Sequence, residues 1–240
     1  MVLRLRTPAR RDPLRRAFEA VDAEAVISVL EPLCTDERRE RLLEVVGGRL
    51  ASVTVVMDAP HDPHNGAAVM RSCDAFGVQE LHVVERTEAF AADNAVAKGT
   101  ERWVDVLHHG TIEDAVHAVR GFMLVATHPK GSLTPGELAM LPKVALVMGN
   151  EHNGIAEELR AACTETVSIP MRGFVESLNV SVSAATLLAY ATSGRAGDLP
   201  HAQARRLYAR WLALSVPRAL DVLDARGIPV TLAPSLDAGR

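Results

Sequence analysis

Three stretches carry side chains able to do chemistry. The first, DAPHDPHNGAAVMRSCDAFG at 58–77, holds Asn65 and Arg71. The second, VALVMGNEHNGI at 144–155, places Glu151 between Gly149 and Gly154. The third, TVSIPMRGFVESLNVSVSAA at 166–185, brings Ser177 and Asn179 to the start of a small-residue helix. In the third, a short run at Thr166–Ile169 is stopped by Pro170 and loosened by Gly173, which predicts a strand ending in a shaped loop before a helix. Backbone groups left unpaired at such a helix start can read a ligand. Taken singly, each stretch has a plainer explanation. Arg71 reads as a surface arginine, Glu151 as a cap of the next helix, and Ser177 or Asn179 as helix caps.

The elements that must hold these stretches follow from hydrophobic patterning. Short β-branched runs at Val53–Met57, Leu81–Val84, Met123–Ala126, Val144–Met148 and Thr166–Ile169 are nearly all apolar, as in strands buried on both faces. Helical patterns at 66–76, 112–119 and 155–163 separate most of them. The alternation predicts an α/β fold, a parallel sheet with helices on both faces. In the first stretch Asn65 sits at an expected N-cap and Gly77 at an expected C-cap. Val69, Cys73 and Phe76 share the core face, while Arg71 lies about 200° round from Val69 and points away. Residues 14–30 and 36–46 read as N-terminal helices, with Asp36 a candidate cap and Gly47-Gly48 an end. Residues 177–193 read as a long apolar helix, 194–200 as a linker, and 201–224 as one or two helices with Tyr208, Trp211 and Leu214 on a shared face. Three parts result: a helical N-terminal extension at 1–50, a catalytic domain at 51–194 and a C-terminal helical extension at 195–240.

Composition removes several function classes. With 240 residues, 48% hydrophobic and 23% charged, the chain can bury a sizeable core. No apolar run approaches the ~20 residues of a membrane span. The N-terminus lacks the apolar core of a secretory signal. Cys34, Cys73 and Cys163 have neither metal nor disulfide spacing, so no metal is expected and a reducing, cytoplasmic setting is. Net charge is only −4, but residues 1–16 hold six arginines against one acid, and further arginines gather at 38–49 and 195–226. Basic ends round an acidic middle fit a polyanion handled by the termini; a solvated helix face or a loose tail is the alternative. There is no G-x-G-x-x-G after the first strand, which weighs against a nucleotide-binding Rossmann domain.

Together the three stretches give a specific pattern: N-x-G-A-x-x-R-x-x-D-A-F-G at 65–77, G-N-E-x-x-G at 149–154 and I-P-M-x-G-x-x-x-S-L-N-V-S-V-S-A-A at 169–185. In order and spacing they resemble the three motifs of the SpoU/TrmH branch of the SPOUT RNA ribose 2′-O-methyltransferases, over roughly residues 38–228. Within that branch the chain is most similar to the TrmH-type tRNA enzymes. The resemblance implies a deep trefoil knot in which residues from about 144 to 193 thread back through a loop, a homodimer with each site completed by the partner subunit, and S-adenosylmethionine as cofactor. Matching cofactor positions are Thr127, Gly149, Ile169, Met171 and Leu178. Matching catalytic positions are Arg71, Asn65, Glu151, Ser177 and Asn179.

The implied reaction is methylation of a ribose 2′-hydroxyl, at guanosine 18 in the tRNA D-loop for TrmH-type enzymes. Arg38, Arg41 and Arg49 fit the family's arginine-bearing helix, although Gly47-Gly48 replaces a region usually basic. Arg195, Arg205 and Arg206 are the C-terminal candidates for RNA contact. The same chemistry on ribosomal RNA or another tRNA ribose is an alternative, and so is a non-catalytic RNA-binding protein. Intact Asn65, Arg71, Glu151, Ser177 and Asn179 argue against the last, since a pure binder needs none of them together.

Overall fold

A computed structural model describes residues 13–85, 99–150 and 152–232. The chain divides into two compact units, 50–196 and a helical unit drawn from residues 11–49 and 197–240. The two extensions, set apart in sequence, are therefore parts of one body.

The first unit is a six-stranded sheet whose described pairings are all parallel: β1 (Val53–Asp58), β2 (Glu80–Val84), β3 (Asp105–His109), β4 (Met123–Thr127), β5 (Val144–Met148) and β6 (Glu165–Val167), in the order β3-β2-β1-β5-β4-β6. β1 and β5 are buried along their whole length at the centre. Each strand alternates faces, so each must be apolar on both. On one side Val53, Val55 and Met57 pack with Val69, Met70 and Cys73 of α4 (Pro63–Ala75) and with Ala184, Leu187 and Leu188 of α7 (Val180–Ala191). On the other, Val56, Ala145 and Val147 pack with Ala115 of α5 (Ile112–Ala118) and Leu159 of α6 (Glu157–Ala161). Helices thus cover both faces, as the alternation predicts.

β3 is absent from the sequence expectation. Its run Asp-Val-Leu-His-His is half polar, and four of its five residues are only half-buried because it is an edge strand. The apolar signal fades where only one neighbour is present. β6 is shorter than expected and ends at Val167, although Ser168 N–H still donates to Leu133 at 3.1 Å.

The second unit is formed by α1 (Pro13–Glu19), α2 (Ala23–Leu30), α3 (Asp36–Gly47), α8 (His201–Ser215) and α9 (Ala219–Ala225). α8 is its spine: α1, α2, α3 and α9 all pack on it. The single helix expected over 14–30 breaks at Asp22, whose carboxylate accepts from Glu24 N–H and caps α2. α3 is capped by Thr35, whose hydroxyl accepts from Arg38 N–H at 3.2 Å, and not by Asp36. Asp36 sits in the first turn instead, where its charge suits the helix dipole. Tyr208 and Trp211 are buried, Leu214 only half. Gly48 closes α3 as expected. In the segment before α8 glycine meets a separate need: a Cβ on Gly197 would lie 1.8 Å from the Gly47 carbonyl oxygen.

Arg195 holds the base of the first unit. Its guanidinium donates to the carbonyls of Ala191, Pro142, Leu138 and Leu141 and to the Ser52 hydroxyl. One side chain thereby ties the end of α7 to the 135–142 turn and to the lead-in of β1. Arg195→Ala is expected to lower stability by about 3 kcal/mol, because several carbonyls lose a charged donor at once. Chemical unfolding followed by circular dichroism checks this.

Candidate active site

The site is built from loops at the carboxyl ends of β1, β4, β5 and β6, where open parallel sheets bind ligands. The β5 loop is the most tightly closed. Asn150 and Gly154 exchange both backbone hydrogen bonds at 3.1 Å. The buried Asn150 carboxamide oxygen accepts from His152 N–H at 3.0 Å and Asn153 N–H at 2.7 Å. Gly154 has φ +65, a conformation that side chains resist. Gly149 lies so close to the returning backbone that a Cβ would fall 2.3 Å from the Gly154 carbonyl carbon. The two glycines and Asn150 are therefore a geometric requirement of the loop.

Asp58, at the end of β1, locks this loop to the sheet. It is 1% exposed, and its carboxylate accepts from Ala156 N–H at 2.6 Å, at the start of α6. The sequence reading gave Asp58 no role; an acid ending an otherwise apolar buried strand was the signal available.

The first and third stretches are joined by one side-chain pair. Asn179 is the N-cap of α7: its carboxamide oxygen accepts from Ser181 N–H at 2.8 Å and Ser181 Oγ at 2.6 Å. Its amide nitrogen donates to Asn65 Oδ1 at 3.0 Å. Asn65 is buried in the first turn of α4 and is not its cap. Asp62 takes that place, accepting from His64 N–H at 2.9 Å, because Pro63 occupies the first helical position. Gly77 follows the helix with φ +76, as a C-terminal glycine should. Val69 and Cys73 are buried with Phe76 against them, and Arg71 is exposed on the opposite side.

The loops after β4, β5 and β6, with the start of α7, line a cleft of about 440 Å³, within the roughly 300–1,000 Å³ of small-molecule sites. Thr127, Gly149, Ile169, Met171 and Leu178 all line it, together with Ser177 and Asn179. Thr127 is held by its hydroxyl, which donates to the Val147 carbonyl at 3.3 Å. Ile169, Met171 and Leu178 give an apolar wall of the kind a purine face needs. His128 and Glu176 also line the cleft and were missed, since neither belongs to a recognisable spacing. Arg71 and Asn65 are not among the lining residues; Asn65 reaches the cleft only through Asn179. Glu151 lies outside the described residues.

The arginines anticipated as RNA contacts divide by environment. Arg41 and Arg206 are exposed, Arg41 beside Glu44 at 2.6 Å. Arg38 is half-buried with its guanidinium on Ser215 Oγ at 3.1 Å. Arg205 donates twice to Glu24, and that hydrogen bonding holds the Glu24 carboxyl below the usual carboxylate range. Arg49 is 1% exposed, with its guanidinium 5.1 Å from the Trp211 ring centroid. It cannot meet a phosphate without leaving that place. Arg195 has both its terminal nitrogens and its Nε committed to the protein. Both are corrected from RNA contacts to structural arginines.

The SpoU rRNA Methylase family pattern matches residues 52–189. The chain belongs to this family. The match begins at the lead-in to β1 and ends within α7, so it takes in every loop of the cleft. Among relatives of the SpoU family, a protein of Thermus thermophilus named tRNA (guanosine(18)-2′-O)-methyltransferase is 36% identical over 157 residues, covering 64% of this chain and 81% of its own. A crystal structure of the A. aeolicus TrmH/SpoU tRNA modifying enzyme superposes with a TM-score of 0.67 at 27% identity, covering 76% of this chain and 98% of that one. The SpoU methyltransferase AviRb from Streptomyces viridochromogenes, solved in complex with AdoMet, superposes at 0.51 and 28% identity, covering 64% and 63%.

Gly149→Ala is expected to reduce affinity for S-adenosylhomocysteine by at least about a hundred-fold, because the loop cannot close over a Cβ. Isothermal titration calorimetry checks this.

Proposed function

We propose that the chain is an S-adenosylmethionine-dependent tRNA (guanosine-18-2′-O)-methyltransferase. The observation that carries this reading is the convergence of Thr127, Gly149, Ile169, Met171 and Leu178 on one cleft, in a family whose similar members bear that name. The residues present fit the cofactor. The glycine cradle lets backbone groups approach closely, and the apolar wall suits adenine. When bound, S-adenosylmethionine supplies an electrophilic methyl group on sulfur.

The chain's own residues then have separable tasks. Asn179 holds Asn65, and both fix the floor beside the methyl donor. Arg71 is the cation of the set, a planar fork of donors with no acceptor. Its task is to hold a substrate phosphate and offset negative charge as the ribose hydroxyl is deprotonated, with a phosphate oxygen taking the proton. Ser177 completes the polar edge, and Glu151 is assigned there by the motif alone.

Arg71 lies outside its own chain's cleft lining, which supports a homodimer in which α4 of one copy serves the cleft of the other. Exposed Phe174, Val175, Val182 and Tyr190 on the third-motif loop and α7 are a fitting contact surface. A trefoil knot is proposed in which residues from about 144 to 193 thread back through a loop. It is supported by the placement of the 128–134 loop against β6, with Leu133 bridged to Val167, before the chain returns to pack α7 on β5 and α4. The N-terminal extension 1–50 and the C-terminal 195–240, less the two structural arginines, are assigned to RNA. Arg38, Arg41, Arg205 and Arg206 are the contacts, and the cytoplasm is the place of action.

Two outcomes follow. Arg71→Ala should leave S-adenosylhomocysteine affinity within about two-fold and lower labelled-methyl transfer to total tRNA by at least about a thousand-fold. Mapping of the modified nucleoside should locate it at guanosine 18; label in ribosomal RNA alone would overturn the substrate. Arg206→Gln should weaken tRNA binding and lower the salt-dependence slope by about one unit. Filter binding across a salt series measures both, and an unchanged slope would remove α8 from the RNA surface.

A further inference from the structure

His128 is pinned at every polar group but one. Its backbone N–H donates to the Val167 carbonyl at 3.0 Å, on the strand leading to Ile169. Its carbonyl accepts from Gly131 N–H at 3.2 Å, closing a turn with Pro129 in the position that proline favours. Its ring Nδ1 accepts from Lys130 N–H at 3.0 Å. An Nδ1 that accepts carries no proton, so in the neutral ring the hydrogen is on Nε2. The turn cannot drift from the sheet, because Gly131 packs directly on the backbone of Val167 and Ser168, where a Cβ would fall at 2.3 and 2.5 Å. Among the described residues nothing accepts from Nε2–H, and His128 lines the cleft.

We propose that His128 is a positioning residue for the cofactor, its Nε2–H donating to an acceptor on the adenosine half, a ring nitrogen or a ribose oxygen. The adenosine half is indicated because the turn hangs on Val167, two residues before Ile169, on the apolar side of the cleft. A donor held in one tautomer and one place distinguishes a nucleoside from the bare apolar wall, which accepts any flat ring. The inference rests on the methyl-donor reading of the cleft.

Three variants separate binding from turn structure. His128→Phe keeps a ring and loses the donor. His128→Asn keeps a side-chain acceptor for Lys130 N–H, and with it the turn, but its amide is too short to reach where Nε2 reaches. His128→Gln keeps a donor at the reach of Nε2. Calorimetry on the full chain with S-adenosylhomocysteine and with 5′-methylthioadenosine, which lacks the amino-acid end, is the experiment. Phe and Asn should weaken both ligands about five- to ten-fold, the scale of one neutral hydrogen bond, and Gln should stay within about three-fold of wild type. Asn at wild-type affinity would make His128 a turn residue only and overturn the proposal. Loss confined to S-adenosylhomocysteine would move the contact to the amino-acid end and overturn it equally. A wild-type chain that binds neither ligand would overturn the reading of the cleft itself.

Discussion

The cleft depends on backbone meeting backbone. Gly149 against Gly154 and Gly131 against Val167 and Ser168 are approaches at which no Cβ fits. Such contacts bring peptide N–H and C=O groups to the edge of a pocket without intervening side chains. They also leave little freedom, because a loop packed on its neighbour's main chain cannot slide by a rotamer change. The remaining locks use short polar side chains on backbone amides: Asp58 on Ala156, Asn150 on His152 and Asn153, Asn179 on Ser181. Each satisfies donors that a loop or helix start would otherwise strand.

That economy explains what could be read in advance. Strands buried on both faces announce themselves as unbroken Val, Leu and Met runs, so β1, β2, β4 and β5 were legible. β3 was not, because an edge strand with a single neighbour carries Asp105, His108 and His109 among its five residues. Helix starts were legible to within two or three residues, and of the caps Asn179 was legible while those of α3 and α4 were not. Asn65 was read as a cap because asparagine favours that place; Pro63 moved the start upstream, and the freed Asn65 became the partner of Asn179. A pair separated by 114 positions in the chain leaves no local trace. The cleft residues were legible only through the three-motif pattern, and His128, outside that pattern, had none to reveal it.

Arginine is the residue type for which sequence misled most. Six were assigned to RNA by charge and location, and burial sorts them differently. Arg49 lies against Trp211, whose ring face attracts a cation strongly once water is excluded. Arg195 spreads its charge over carbonyls of two separate segments and the Ser52 hydroxyl of a third, a task that needs the planar fork of a guanidinium and that a lysine could not reproduce. A basic stretch therefore overstates the surface available to a polyanion, and a net charge of −4 overstates nothing about the interior. Arg41 and Arg206 are among the described arginines that remain on the surface.

The two sides of the site differ in kind, and the chemistry gives a reason. On the proposed reading, the methyl donor is small and always the same, so a rigid wall of loops with a donor fixed at His128 costs nothing in adaptability. The nucleophile arrives on a large folded RNA and must be aligned with the donor within a fraction of an ångström for in-line attack. An exposed Arg71 on the rim of α4, outside its own chain's cleft, can meet a phosphate as it arrives. On that reading the hydroxyl proton leaves to a phosphate oxygen. A buried arginine could not meet a phosphate without first leaving the partners that offset its burial. On the proposed reading Arg71 serves from the surface, whereas Arg195 serves enclosed, its planar fork spread over backbone carbonyls.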